Sequence, residues 1–250
     1  MTTGGEGSML TTTFAVLLLA ALLLLGGCGV AGDRASPSRT VLLTGFEPFG
    51  GRDVNESWEA VKVLKGTTLR GRRVEVARLP VVYDEMAAPL AAAIAKARPE
   101  VVISFGVGTE VVRVETLARN GYNEIRPLDN LGKPPPRAQV EVTGPATIPT
   151  GLPTEALLAA LAAADVPARA SDDAGGYLCN ECFYRLMRTR GPGADGIRAR
   201  GFVHVPPAGA ANPRGGEFDL PTIRRGVKAV VEATLDHLDA AAGGGGGSAR

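Results

Sequence analysis

The sequence predicts an α/β fold: a three-layer α/β/α sandwich on a mostly parallel open sheet, with an antiparallel hairpin excursion. Short apolar runs of strand length, such as Val41-Leu-Leu43 and Val101-Val-Ile103, alternate along the chain with alanine-rich or amphipathic stretches of helix length. That alternation calls for parallel strands joined by crossover helices, which cover both faces of the sheet. The 250 residues are 45% apolar with a formal net charge of +1, enough to bury a substantial core.

The elements follow in order. Residues 39–44 form an apolar run closed by Gly45, the pattern of a buried parallel strand. A loop from Phe46 to Asn55 leads to residues 57–64, which have helical spacing with Ser57 as N-cap. Residues 73–79 alternate as a strand should. Residues 83–97 read as an amphipathic helix, with Pro89 the one feature against an unbroken one. Residues 100–105 form the next buried strand, closed by Gly106-Val-Gly108. The polar, proline-rich segment 111–142, with Pro134-Pro-Pro136, reads as an irregular excursion or antiparallel hairpin beside the sheet. Beyond it come a helix (154–164), a strand (168–171), a helix (178–190), a strand (201–205) and a terminal helix (221–242) that begins with proline. In open parallel sheets functional loops gather at the carboxyl ends of strands. Phe46, Val107, Tyr177 and His204 each come at such a place and are expected to converge.

Both ends stand apart from this domain, which spans 40–242. Phe14 to Leu25 is an almost pure Ala/Val/Leu run, too short for the roughly 20 apolar residues of a spanning helix. Residues 1–27 read as an export signal, 28–39 as a polar linker and 243–250 as a flexible glycine-rich tail. Leu25-Gly-Gly-Cys28 resembles a bacterial lipobox, which implies lipidation of Cys28 and attachment to a membrane. The departure is the start, Met1 to Thr13, which has no Lys or Arg. A cleaved secreted protein, an uncleaved anchor and a misplaced start remain alternatives.

Composition excludes other classes. Near-neutral charge without a basic stripe argues against nucleic acid as a partner. Three cysteines and two histidines are too few and too scattered for a structural zinc site, so no metal and no cofactor is expected.

The chemistry centres on Cys179, which follows Gly175-Gly-Tyr-Leu178 at the expected start of a helix. A cysteine nucleophile needs a lowered pKa and a base beside it. The helix N-terminus favours negative charge, and His204 can act as the base. Taken singly, Cys179 reads as a buried hydrophobe, His204 as a core histidine and Glu115 as a solvated charge.

What joins them is a set of four motifs in order. They are Thr44-Gly-Phe-Glu-Pro-Phe-Gly-Gly51 with Val54-Asn-Glu-Ser-Trp-Glu-Ala60; Val114-Glu115 with Ala118-Arg-Asn120, Arg126 and Asp129-Asn130-Leu-Gly132; Gly175-Gly-Tyr-Leu-Cys179-Asn180 with Phe183-Tyr184; and Gly201-Phe-Val-His204-Val-Pro206. Together they resemble the pyroglutamyl peptidase I family of cysteine exopeptidases over residues 40 to about 240. The resemblance implies Cys179 as nucleophile, His204 as general base and acid, Glu115 as the third member of a triad, and Arg126 as an aid to the oxyanion. It implies N-terminally pyroglutamylated peptides as substrates, with Phe46 and Phe49 forming an aromatic slot that Tyr177 and Leu178 close. The tetramers known in the family leave monomer and homo-oligomer both open. Most relatives are cytoplasmic, whereas the signal-like start points to an exported, lipid-anchored protein.

Three positions depart from the family's pattern. Val107 replaces a glutamine, Thr116 stands where an arginine is common, and Glu56 replaces a proline. Cys182, one turn beyond Cys179, makes a C-x-x-C pair. The pair leaves an exported thiol oxidoreductase as one alternative, and Val107 leaves another, an inactive relative that keeps the pocket for binding. The pair also raises a disulfide that silences Cys179, against a plain buried filler.

Overall fold

The computed structural model describes residues 39–125 and 127–244. The expectations for the signal segment, for lipidation of Cys28 and for Arg126 therefore lie outside the described residues, as do nearly all of the linker and tail. No helix among the described residues is long and apolar enough to cross a membrane.

Seven strands form the main sheet: β1 (Thr40–Phe46), β2 (Thr68–Leu69), β3 (Arg72–Leu79), β4 (Val101–Val107), β5 (Val112–Glu115), β8 (Ala168–Ser171) and β9 (Ala199–Val205). Their order is β2-β3-β1-β4-β9-β5-β8. β3, β1, β4 and β9 run parallel, and the runs of fully buried valine, leucine and isoleucine in β1 and β4 suit a sheet covered on both faces. A separate antiparallel pair joins β6 (Leu117–Arg119) to β7 (Thr147–Pro149).

The helices are α1 (Glu56–Val61), α2 (Ala87–Ala97), α3 (Thr154–Ala163), α4 (Leu178–Arg188) and α5 (Leu220–Gly244). Alternate strand residues feed two cores. Val41, Leu43, Val101, Ile103, Val112, Val114 and Val203 pack under α1, α3 and α5, while Leu42, Val102 and Phe202 pack under α2 and α4. This is the three-layer sandwich that the alternating pattern predicts.

Local differences have local causes. Asn55, not Ser57, caps α1: its Oδ1 accepts from the Ser57 N–H at 3.1 Å and the Ser57 hydroxyl at 2.6 Å. The helix expected from residue 83 begins at Ala87, so Pro89 falls in the first turn, where a missing N–H costs nothing. The segment read as an excursion from residue 111 opens with β5, a full member of the sheet. β5 is parallel to β8 but antiparallel to β9. β8 therefore ends at the opposite edge from β9, and residues 172–177 carry the chain back. The predicted convergence holds, yet at Tyr177 the returning segment produces it rather than the end of a parallel strand.

Candidate active site

Cys179 is the second residue of α4, and the turn ahead of it is tightly specified. Ser171 Oγ donates to the Asp173 carbonyl at 3.1 Å, and the Gly175 N–H donates to Asp173 Oδ1 at 2.9 Å with Gly175 at φ +77. At Gly176 an added Cβ would lie 2.1 Å from the Asn123 nitrogen, so only glycine lets the two backbones meet there. The next side chain along, Asn180, is fully buried. Its Oδ1 accepts from the Arg119 N–H at 2.9 Å, and its Nδ2 donates to the carbonyls of Arg119 and Gly121. The start of α4 is thus clamped to β6. No side chain caps α4, which leaves its first-turn N–H groups free of a capping acceptor at the cysteine.

His204 comes from β9 and Glu115 from β5. In the antiparallel register Arg113 stands opposite His204, and Glu115 stands opposite Phe202. Residues two apart on a strand share a face, so Glu115 and His204 are diagonal neighbours on one side of the sheet. His204 Nδ1 and Glu115 Oε1 are 2.7 Å apart, both nearly or wholly buried. The acceptor-only carboxylate fixes the tautomer with the proton on Nδ1, which leaves Nε2 for the cavity. Phe202 sets its ring edge-on to the imidazole at 5.0 Å between centroids.

The cavity in front has a volume of about 410 Å³. Cys179, His204, Phe46, Phe49, Tyr177 and Leu178 all line it, together with Val107, Gly108, Arg52, Asn55 and Arg113. Every pocket residue expected from the sequence within the described region is therefore present. Phe46 is buried against Phe202, whereas Phe49 forms the rim with Tyr177, their rings 6.2 Å apart. Glycines at φ +63 and +76, Gly50 and Gly51, turn this loop. It is tied down by Asn55 Nδ2 donating to the Glu47 carbonyl and by Glu47 Oε1 accepting from the Val81 N–H. Glu56 is buried and pairs with Arg52 at 2.5 Å while accepting from the Ala208 N–H, which joins this loop to the one after β9.

The protonation states differ from a simple helix-terminus expectation. Burial pushes the Cys179 thiol up to about 12, and the Glu115 charge adds to this while Arg113 opposes it. Burial also takes His204 below its ordinary value, with Glu115 pulling it back up and Arg113 lowering it further. Both directions favour a thiol beside a neutral imidazole at neutral pH. Cys182 is wholly buried beneath, its thiol raised by burial and touching Ser104, and both cysteines are free. No group of three or more His, Cys, Asp or Glu among the described residues is placed to hold a metal.

Arg113 carried no role in the sequence reading. Its signal was available: it lies two residues before Glu115 in a strand and so shares its face.

Residues 39–237 match the profile of the family described as pyroglutamyl peptidase. The chain belongs to the pyroglutamyl peptidase family. It is 39% identical over 214 residues to a pyrrolidone-carboxylate peptidase of Pectobacterium carotovorum, covering 83% of this chain and 98% of that one. It is 40% identical over 197 residues to that of Gloeobacter violaceus, covering 77% and 95% respectively. Among solved structures it resembles the pyroglutamyl peptidase I of Bacillus amyloliquefaciens, with a TM-score of 0.71 at 32% identity over 79% of this chain and 95% of that chain. The family match covers β1 through most of α5, and so all the elements of this pyroglutamyl peptidase site.

Proposed function

We propose that the chain is a cysteine exopeptidase that removes N-terminal pyroglutamyl residues from peptides. The observation that carries this is the Glu115–His204 pair at 2.7 Å beside Cys179, in a cavity walled by Phe46 and Phe49. A flat, uncharged lactam ring suits such an apolar slot.

Cys179 is the nucleophile, His204 the general base and acid, and Glu115 the group that orients the imidazole. As Sγ forms its bond to the pyroglutamyl carbonyl carbon, the thiol proton passes to His204 Nε2. The resulting imidazolium is stabilised by the Glu115 carboxylate. The negative oxygen of the tetrahedral intermediate is met by N–H groups of the first turn of α4, a contribution of about 3–4 kcal/mol per donor in comparable sites. Collapse breaks the C–N bond, and the departing amine takes the proton from Nε2. Water then adds to the thioester with His204 accepting its proton, and pyroglutamate leaves as the proton returns to sulfur.

Release of a fluorophore from a pyroglutamyl amide tests this. The parent protein should turn over, and Cys179→Ala should lower kcat by on the order of 10³-fold or more with the fold intact. Absence of turnover in a folded parent protein rejects the reading.

The apolar run to Leu25 and Cys28 support a further part of the proposal, an exported protein anchored by lipid on Cys28. Mass measurement of the mature N-terminus after fractionation decides between this and an unprocessed cytoplasmic chain.

A further inference from the structure

The Cys179, His204 and Glu115 arrangement leaves one charged side chain in the cavity without a task. Arg113 stands directly across from His204 in the β5–β9 register and on the same face as Glu115. Its side chain is 16% exposed, with Nε 3.3 Å from Glu115 Oε1 and Nη2 3.2 Å from His204 Nδ1. Because Nδ1 carries the proton given to Glu115, the guanidinium is not a donor to the ring. Nor is Arg113 Nε aligned for a hydrogen bond, so its relation to the carboxylate is that of a charge pair. Glu115 is wholly buried, and its Oε2 makes no hydrogen bond among the described residues. A buried carboxylate with an unsatisfied oxygen is costly unless a positive charge stands close by.

The backbone makes room for that charge. A Cβ on Gly108 would lie 3.0 Å from His204 Cβ and 3.4 Å from Arg113 Nη2, so the bare glycine lets the guanidinium reach over the histidine.

We propose that Arg113 is a positioning residue: its guanidinium, set against the Glu115 carboxylate and across from the His204 ring, offsets the carboxylate's pull and so keeps His204 a neutral base until substrate arrives. The proposal rests on the peptidase reading for its purpose. Its geometry stands without it.

The charged and titratable groups around the imidazole are Arg113 and Glu115 from β5, Cys179 from α4 and Asp173 from the segment after β8. Glu115 and Asp173 draw a proton to the ring, and Arg113 opposes them. Removing Arg113 leaves the carboxylates unopposed, so His204 should titrate at a higher pH.

The chain has two histidines, and the other, His237, is exposed on α5. NMR of the imidazole carbons across pH therefore reads His204 against an internal reference. In Arg113→Met and Arg113→Gln the His204 midpoint should rise by about one unit with His237 unmoved. Arg113→Lys, which keeps the charge, should bring it back towards the parent value. The acidic limb of kcat/KM should move with it, at little change in KM. An unshifted His204 midpoint in either neutral variant that melts cooperatively overturns the proposal, as does an Arg113→Lys protein that titrates like Arg113→Met. The NMR reading needs no substrate. A protein that shows the shift but does not cleave pyroglutamyl amides therefore keeps this inference and rejects the peptidase function.

Discussion

Cys179 and Cys182 lie one turn apart on α4, and their surroundings set them to different tasks. Cys179 opens on the cavity, whereas Cys182 has no exposed surface and fills the core beside Ser104. Cys182→Ala should therefore leave kcat within about twofold, and it should cost about 1–2 kcal/mol of stability through the small void it leaves. Denaturant melts and the fluorogenic assay check this together; a large loss of kcat in a stable variant would show that the second thiol takes part in the chemistry. The raised thiol and lowered imidazole also set the pH profile. A base with its midpoint below the ordinary 6.5 stays neutral to lower pH, so kcat/KM should hold down through pH 6.5 and fall only below it. With the thiol raised to about 12, no gain from thiolate formation should appear between pH 8 and 9. An acidic limb centred above 6.5, or a rise through 8–9, would contradict this.

At the scale of elements, the site is made by β4 and β9 passing close under α4. A Cβ on Gly106 would lie 2.7 Å from Phe202 Cζ and 2.8 Å from Cys179 Sγ. Gly106→Ala should therefore cost about 1–3 kcal/mol by overpacking and lower kcat more than it raises KM, because the displaced atom is the nucleophile. Steady-state kinetics with a melt measure both effects. The glycines and strand ends were legible in the sequence because each sits in a run whose spacing marks its element, whereas Cys179, His204 and Glu115 came together only through the four motifs shared with the family. Other features were not legible. Arg-Val-Glu after Val112 reads as part of a polar excursion with a solvated Glu115; its place in β5 and its burial rest on pairing with β9, which runs in the opposite direction. Asn55 and Ser57 are both good caps, two residues apart. Only the bonds from both the Ser57 N–H and its hydroxyl to Asn55 Oδ1 decide between them.

Across the described molecule, buried titratable groups on one side of the sheet should shape stability against pH. His204 has its folded value lowered by burial, so it contributes stability that is present above the unfolded value of 6.5 and lost as pH falls through the folded one. Cys179 and Cys182 are raised by burial, so their contribution is complete below the unfolded value of 9.0 and lost as pH rises towards their folded values. Tyr122 and Tyr177, raised above 10.0 by burial and neighbouring acids, extend the same loss upward. Glu181 works in the opposite direction on the acid side: burial raises it above 4.5 against the pull of Arg185, so protonating it favours the fold. The melting temperature should therefore form a plateau between about pH 6.5 and 9, with decline on both sides, and thermal melts in half-unit steps would trace it. His204→Gln separates the acid terms, because it should flatten the decline just below pH 6.5 and leave the alkaline side unchanged. If that variant declines like the parent, the imidazole is not the group whose proton uptake drives acid unfolding.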